Sequence, residues 1–377
     1  MKFLNYPKER QIITITCCFW IISKFLSYKL WLSDRIFPLI PAFDFLENIP
    51  NQIHIILLVS SILGILLIAV FPKNNFLILC TIIIEFITYL LDQNRWQPYE
   101  YQYFLTLILF YFYRNKSKNF VNYFSLLLIV IYFQSGLHKI SGSFLFSIWE
   151  KIILQDFFKF KQEQINSLWI HYSGLILAFI EVVLPLVILF TKFKKQAAVG
   201  LIVMHLFILV MLSPIGLNMN SVVWPWNIAM IFFLYFVFIY KNDNEIIITL
   251  DLIKGNGIIF FIPIVLLPFL NYFVKFDNFL SFNLYSGSVP VLEICINDKK
   301  CYEKYKPFLS TYNRFCDSKN VINIKEWSLQ EMNIIAIPEE RFYYKLIEHW
   351  KKNNPNCEVT FIIYKYPYTE QNVKYIK

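Results

Sequence analysis

Residues 53–72 read IHIILLVSSILGILLIAVFP, with His54 as the one ionisable side chain. A run of about 20 apolar residues is what a helix needs to cross the roughly 30 Å hydrocarbon core of a bilayer. A helix can do so because it satisfies its own backbone polar groups where water is absent. The stretch therefore predicts a transmembrane helix, and apolar runs between polar breaks mark eight more. They lie at about 11–30, 75–91, 97–113, 119–140, 168–190, 196–213, 221–240 and 256–274. The first carries Lys24 and Lys29 and is read as partly sheltered or snorkelling. No small-residue cleavage site follows its apolar start, so it is read as an uncleaved span. The fourth is short and leans on Pro98 as a helix starter. The expected fold is an all-α polytopic membrane protein of about nine transmembrane helices over residues 1–275. A small extracytoplasmic α+β domain over residues 276–377 completes it.

Composition agrees with that reading. The 377 residues are 57% hydrophobic and 16% charged, and the mean hydropathy is +0.49. Soluble chains average about 45–50% apolar and about 25% charged. A soluble enzyme, a disordered chain and a nucleic-acid-binding module are thereby excluded. The 39 Phe and 24 Tyr, against 9 Gly, suit a lipid-facing surface with interfacial aromatics.

The net charge of +9 reads as loop asymmetry. With Lys2, Lys8 and Arg10 inside, nine spans also place Lys73, the run Arg114, Lys116 and Lys118, the run Lys192, Lys194 and Lys195, and Lys241 inside. The uncharged loop Ser213–Asn220 falls outside, as the positive-inside rule requires. The odd count puts the C-terminal region outside. Segment 139–167 is mixed in charge and stands apart. Within it Phe144, Leu145, Ile148, Trp149, Ile152 and Ile153 recur at helical spacing, and Glu150, Lys151, Gln155 and Asp156 take the other face. That pattern suits a helix lying in the outer interface, with a surface helix packed on a loop as the alternative.

Beyond residue 276, Val291–Ile296 and Val359–Tyr366 read as strands, and Glu339–Lys352 after Pro338 reads as a helix. Cys295, Cys301, Cys316 and Cys357 fall in this region, where an oxidising compartment allows two disulfides with three connectivities. Four-thiolate zinc competes, but no C-x-x-C pair supports it. Cys17, Cys18 and Cys80 lie in spans, where thiols pack.

Ionisable groups at membrane depth are costly and mark sites by default. Glu85, Lys139, Glu181 and His205 are the candidates, with Asp92, Arg95, His138 and His171 at span ends. His54, His138 and His171 fall at the outer boundary, and His205 about 12 Å below it at 1.5 Å per residue. Glu85 is placed to pair with His205 or Arg95. Glu181 is assigned to the cytoplasmic half, apart from the outer cluster. Tyr132, Ser135, Gly136 and Lys139 share one helical stripe. A lysine ending such a stripe is a base if it is desolvated, or an anchor snorkelling to lipid phosphates. Trp224-Pro225-Trp226 reads as an interface anchor. No P-loop, G-x-S-x-G, H-E-x-x-H or G-x-G-x-x-G motif is present, and the scattered histidines argue no metal site.

The order Leu91-Asp92-Gln93-Asn94-Arg95-Trp96, then Tyr132-Phe133-Gln134-Ser135-Gly136-Leu137-His138-Lys139-Ile140, then His205 and Pro214-Ile215-Gly216-Leu217 resembles a known family. It is the horizontally transferred transmembrane (HTTM) domain, the membrane part of vitamin K-dependent gamma-carboxylase and its short bacterial relatives. The similarity covers roughly residues 10–275, and the Tyr-Phe-x-x-Gly-x-x-Lys run is its most specific piece. In the carboxylase, the lysine of that run deprotonates the hydroquinone of vitamin K. Oxygen turns the anion into a strong base that removes a glutamate γ-proton, and carbon dioxide adds. The resemblance implies Lys139 and His205 as catalytic residues. It implies Trp96, Tyr99, Tyr132, Ser135, Gly136 and His138 around a vitamin K-like quinol, in a bacterial inner membrane. Two departures stand out. Tyr99 occupies the place of a family histidine, and only residues 276–377 replace the large lumenal portion that handles the protein substrate. Leu284-Tyr285-Ser286-Gly287 and the stretch Trp327 to Arg341 resemble the tail of the short bacterial type.

Two functions follow as expectations. One is a membrane redox or proton-transfer protein that binds a lipid-soluble quinone, with Lys139 as base. The other is a non-enzymatic scaffold or receptor acting through the C-terminal domain. A transporter would be expected to show inverted repeats, and none is visible.

Overall fold

In the computed structural model, which describes residues 3–240, 257–273, 276–310, 313–316 and 320–377, five long helices come first. They are α1 (Lys8–Leu26), α2 (Asn51–Val70), α3 (Asn75–Leu91), α4 (Pro98–Tyr113) and α5 (Ser117–Lys139). The side chain of Asn74 accepts from the Leu77 amide (3.1 Å) and opens α3. Pro98 opens α4, where its missing N–H would have found no helical partner. Lys2 and Lys241, the ends of the ninth expected span and the junction at 275 all touch positions outside the described residues.

The helices are of two kinds. α4 and α5 are buried along most of their length, although α4 buries Glu100, Gln102 and the tyrosines Tyr99, Tyr101 and Tyr103. By contrast α2, Leu168–Phe190 and Lys194–Leu212 leave large apolar side chains outside, among them Ile56, Leu63, Phe179, Ile176 and Val203. An apolar surface of this extent is compatible with a lipid environment. Among the described residues four helices are long and apolar enough to cross a membrane: Asn51–Val70, Ser117–Lys139, Leu168–Phe190 and Lys194–Leu212. Asn75–Leu91, Val223–Ile239 and Ile258–Leu270 are apolar but shorter. The count of nine is therefore not supported. α4 has 16 residues, about 24 Å at 1.5 Å per residue, which is short of the core thickness. α1 carries Lys8, Glu9, Arg10 and Lys24. Lys24 does not snorkel: it is buried, and its Nζ lies 3.0 Å from Glu85 and 3.6 Å from Glu100.

The segment expected in the outer interface is a helix, Gly142–Phe144 continued by a wide π-type helix Leu145–Phe157. Ile148, Ile152 and Ile153 face a cavity inside the protein. Glu150 bonds His171 (2.5 Å), and Trp149 donates to the Ile170 carbonyl (2.8 Å).

The C-terminal region holds an antiparallel sheet of β1 (Val291–Ile296), β2 (Val321–Asn323), β3 (Val359–Tyr364) and β4 (Val373–Ile376), in the order β2-β1-β3-β4. β1 is central, with Glu293 opposite both Asn323 and Ile362. β2 and β4 have three and four residues, too few for a period to be read. The helix Glu340–Asn353 buries Phe342, Tyr343, Leu346, Ile347 and Trp350, spaced three and four apart. The disulfides are Cys295–Cys316 and Cys301–Cys357, each with Cα atoms 5.8 Å apart. This is one of the three pairings that spacing left open.

The sheet domain sits on one end of the bundle. Trp327 packs on Phe37 at 4.9 Å between ring centroids. Glu331 accepts from the amides of Ile36 (2.6 Å) and Phe37 (2.9 Å), and Asn94 accepts from the Ile337 amide (3.2 Å). Arg341 donates to Gln93 and to Asp277. At the opposite end Lys8 donates to the Val237 carbonyl (3.4 Å), and Ser117 donates to Glu9. The basic run Arg114 to Lys118 lies there.

One contact of the sheet domain titrates. Glu339 accepts from the backbone and side-chain nitrogens of Asn278, both at 2.7 Å. Burial, with the nearby Asp277 charge adding to it, raises its carboxyl to about 7, and the Asn278 bonds and Arg341 oppose the rise only in part. A carboxyl raised in the folded state binds its proton more tightly there than in the unfolded chain. Its stabilising contribution is thus complete below about pH 4 and is lost as pH rises toward 7. Hydrogen exchange of residues 277–283 is expected to speed up between pH 5 and pH 8, after correction for intrinsic rates. In Glu339→Gln this pH dependence should flatten.

Candidate functional site

The site begins with the packing of α5 on the helix Leu175–Phe190, the most extensive helix contact among the described residues. Gly136 makes it possible. A Cβ placed there would lie 2.8 Å from the Glu181 Cβ and 2.9 Å from the Glu181 carbonyl carbon. The missing side chain lets the second helix bring Glu181 against α5. Side chains on a helix lean toward its N-terminus, so Lys139, at the C-terminal end of α5, reaches back into the bundle. Its Nζ donates to Ser135 Oγ (2.8 Å) and to both Glu181 oxygens (2.7 and 2.5 Å). Sequence depth had set Glu181 apart from this cluster, and that assignment is wrong. Gly174 interrupts the helical run Leu168–Phe190 for one residue while keeping right-handed helical dihedrals, and Glu181 lies seven residues beyond it, facing α5.

Gly136→Val should force these helices apart. It is expected to cost about 1–3 kcal/mol, as overpacking does, with Gly136→Ala less severe. Detergent unfolding followed by tryptophan fluorescence measures both.

Two turns earlier on α5, Tyr132 meets His205 from the helix Lys194–Leu212, with OH to Nε2 at 2.6 Å. His205 Nδ1 lies 2.8 Å from Asn227 Oδ1, and Asn227 Nδ2 donates to the Val223 carbonyl (2.8 Å). This chain fixes the tautomer. Asn227 spends its N–H on Val223, so its oxygen accepts from Nδ1–H of His205. Neutral Nε2 then accepts from the Tyr132 hydroxyl.

Both groups open on one cavity of about 130 Å³, lined otherwise by apolar residues such as Ile131, Leu177, Met204 and Met230. An apolar cavity of this size class admits a benzene-sized molecule. Lys139 and Tyr132 are seven residues apart on α5, about 10.5 Å along its axis. The cavity thus has an ion pair toward one end, a hydroxyl–imidazole pair toward the other and greasy walls between.

The chain matches no family model, no curated protein and no solved structure.

Of the residues expected around a cofactor, Tyr132 and Ser135 line this cavity together with Lys139 and His205. Gly136 faces the neighbouring helix. His138 stacks on Tyr272, with centroids 4.6 Å apart and planes at 14°. Trp96 packs on Tyr89 (4.6 Å) and Phe104 (6.3 Å). Tyr99 lines a second, larger cleft of about 770 Å³. Trp226, read as an interface anchor, is buried, lines both spaces and donates to Gln102 (2.6 Å). Asn227 was not singled out by sequence, and polar asparagine beside Trp226 in an apolar run was its only signal.

Glu85 pairs with neither His205 nor Arg95. It accepts from Lys24 and Ser61. Glu100 completes that buried cluster, accepting from Trp20 (2.5 Å) and Tyr89 (3.1 Å). Arg95 instead donates to the carbonyls of Leu30, Trp31 and Thr88 and lies 2.9 Å from His54 Nδ1. It ties the turn Tyr28–Trp31 that follows α1 to the end of α3. Among the described residues no group of three or more His, Cys, Asp or Glu side chains is arranged to hold a metal.

Proposed function

We propose that this is an integral membrane protein that moves a proton from a hydroxylated, ring-shaped, lipid-soluble substrate of the quinol class. The observation that carries the reading is the Lys139–Glu181 ion pair opening on an apolar cavity opposite Tyr132 and His205. A quinol supplies a ring with an oxygen at each end and a hydroxyl proton that can leave. The cavity offers apolar walls for the ring and hydrogen-bonding groups at both ends.

The resemblance to the HTTM domain assigns the base to Lys139, and the Glu181 contact shifts that assignment. Lys139 Nζ donates to both Glu181 oxygens, so Glu181 is the acceptor of the pair and takes the role of base in this reading. Lys139 then supplies positive charge where negative charge develops, and in a water-poor site this is worth far more than in water. Tyr132, donating to His205, keeps an oxygen lone pair toward the cavity and orients what binds there.

The test is oxidation of reduced quinones, menaquinol and vitamin K hydroquinone included, by the protein in nanodiscs, with dioxygen supplied as the two-electron oxidant that acts on the quinolate once its proton has left. Turnover in wild type and its loss in Glu181→Gln is the expected result. No turnover with any quinol tried would favour the scaffold reading. We further propose that the basic loops face the cytoplasm of a bacterial inner membrane and that residues 276–377 lie outside. The sheet domain and the basic run Arg114 to Lys118 occupy opposite ends of the bundle, which supports this orientation. Reporters fused after residues 118, 218 and 377 should read inside, outside and outside. A cytoplasmic signal at 377 would reverse it.

A further inference from the structure

The cleft of about 770 Å³ lies between the bundle and the sheet domain, next to the inner cavity of about 130 Å³. Ile148, Ile152, Val223, Trp226 and Leu284 line both spaces, so the partition between them is one side chain thick at these positions. Trp226 is its fixed part, because the indole donates to Gln102 on α4 (2.6 Å). The rest is held less firmly. Val223 is the first residue of the helix Val223–Leu234, whose start no side chain caps, and an uncapped helix end opens more readily than a helix interior. Ile148 and Ile152 complete the partition from the π-type helix Leu145–Phe157. None of these three aliphatic side chains has a polar atom to fix it in place.

The wall toward the outside of the bundle is built differently. Phe207, within the helix Lys194–Leu212, lines the cavity there. Phe157 meets it edge-on, with centroids 6.0 Å apart and planes at 88°, and Phe158 lies against it at 6.3 Å and 20°. Phe158 is itself exposed, so this wall runs through two aromatic layers from the cavity to the surface. Aromatic pairs in such geometries attract beyond the area they bury. We infer that the inner cavity is filled from the cleft, between Val223 and Ile152, and not sideways from lipid past Phe207. The ligand is then a hydroxylated ring of about benzene size that arrives on the side of the sheet domain. Any substituent on that ring extends into the cleft and not into the bilayer. The inference deepens the quinol reading by naming the route, and it rests on that reading only for the identity of the ring. The passage is measured below without turnover, so failure of the quinol chemistry leaves it standing.

The experiment uses the full chain in nanodiscs, with the free thiols Cys17, Cys18 and Cys80 replaced by alanine and both disulfides kept. Ile131→Cys places one thiol in the inner cavity at a buried position of α5, and Leu329→Cys places one in the cleft. Methyl methanethiosulfonate is the probe. It is small, neutral and soluble in water and lipid, so it samples both routes, and mass spectrometry reads how fast each thiol is capped. Val223→Ala thins the partition and should speed capping of Ile131→Cys about tenfold, whereas Phe207→Ala should leave it unchanged within about twofold. Val223→Trp should slow it by at least about tenfold. Capping of Leu329→Cys should be the same in all these backgrounds. A trimethylammonium analogue of the probe, which does not cross bilayers, should cap Leu329→Cys too, since the route requires that the cleft open to water. Unaltered thermal unfolding verifies the fold of each variant. If Val223→Trp does not fold, the two alanine variants decide alone. Faster capping in Phe207→Ala than in Val223→Ala overturns the inference in favour of entry from lipid. Equal effects of the two, or a Leu329→Cys thiol that the charged reagent does not reach, overturn it as well.

Discussion

Replacing Lys139 with Met is expected to abolish quinol turnover and to destabilise the protein by about 3–5 kcal/mol, the range for breaking a buried ion pair from one side. The size of the effect comes from Glu181. With the ammonium gone, a carboxylate that is nearly buried against α5 keeps its desolvation cost and loses its partner. Glu181→Leu should destabilise for the mirror reason. The double variant Lys139→Met/Glu181→Leu removes both charges and should return stability close to wild type, because buried pairs replaced by apolar groups of similar volume are often neutral or better. Activity should stay lost. Unfolding in detergent across this double-mutant cycle checks the coupling, and additive losses would show that the two side chains do not depend on each other. Lys139→Arg separates the chemical roles. Guanidinium keeps the charge but does not give up its proton. Partial turnover in that variant is expected if Glu181 accepts the proton. Complete loss with stability intact would return the role of base to Lys139.

Reduction of the disulfides should unfold the sheet domain. The bonded cysteines are 21 and 56 residues apart, and closing loops of those lengths is worth about 3 and about 4 kcal/mol in the chain-entropy account. The sum is a large fraction of what a domain of this size can supply from its core. Intact-mass measurement should show a gain of four hydrogens on reduction. Cys301→Ser/Cys357→Ser should lower the melting of the domain more than Cys295→Ser/Cys316→Ser. Alkylation of all four thiols in the native, unreduced protein would refute the pairing.

Much of this protein was legible in one dimension. Apolar runs such as 53–72 declare helices that need lipid, because hydrophobicity over 20 residues is a local sum that no neighbour can cancel. Four cysteines clustered beyond residue 290 declared crosslinks, and β-branched runs declared β1 and β3. The stripe Tyr132, Ser135, Gly136 and Lys139 was visible because helical spacing puts those residues on one face whatever packs against it. The number of spans was less legible. Length and charge in α1 and α4 were ambiguous until Glu85 and Glu100 proved to hold Lys24 inside the bundle. Pairing was not legible at all. Glu181 and Lys139 are 42 residues apart, and Glu85 and Lys24 are 61 apart. Which acid meets which base depends on how closely two helices approach. Gly136 sets the approach of the two helices by leaving room for Glu181. The sheet domain covering one end of the bundle, and the cleft beneath it, likewise exist only once distant segments meet. Local sequence fixes what each helix needs to bury, and tertiary contact decides against what it is buried.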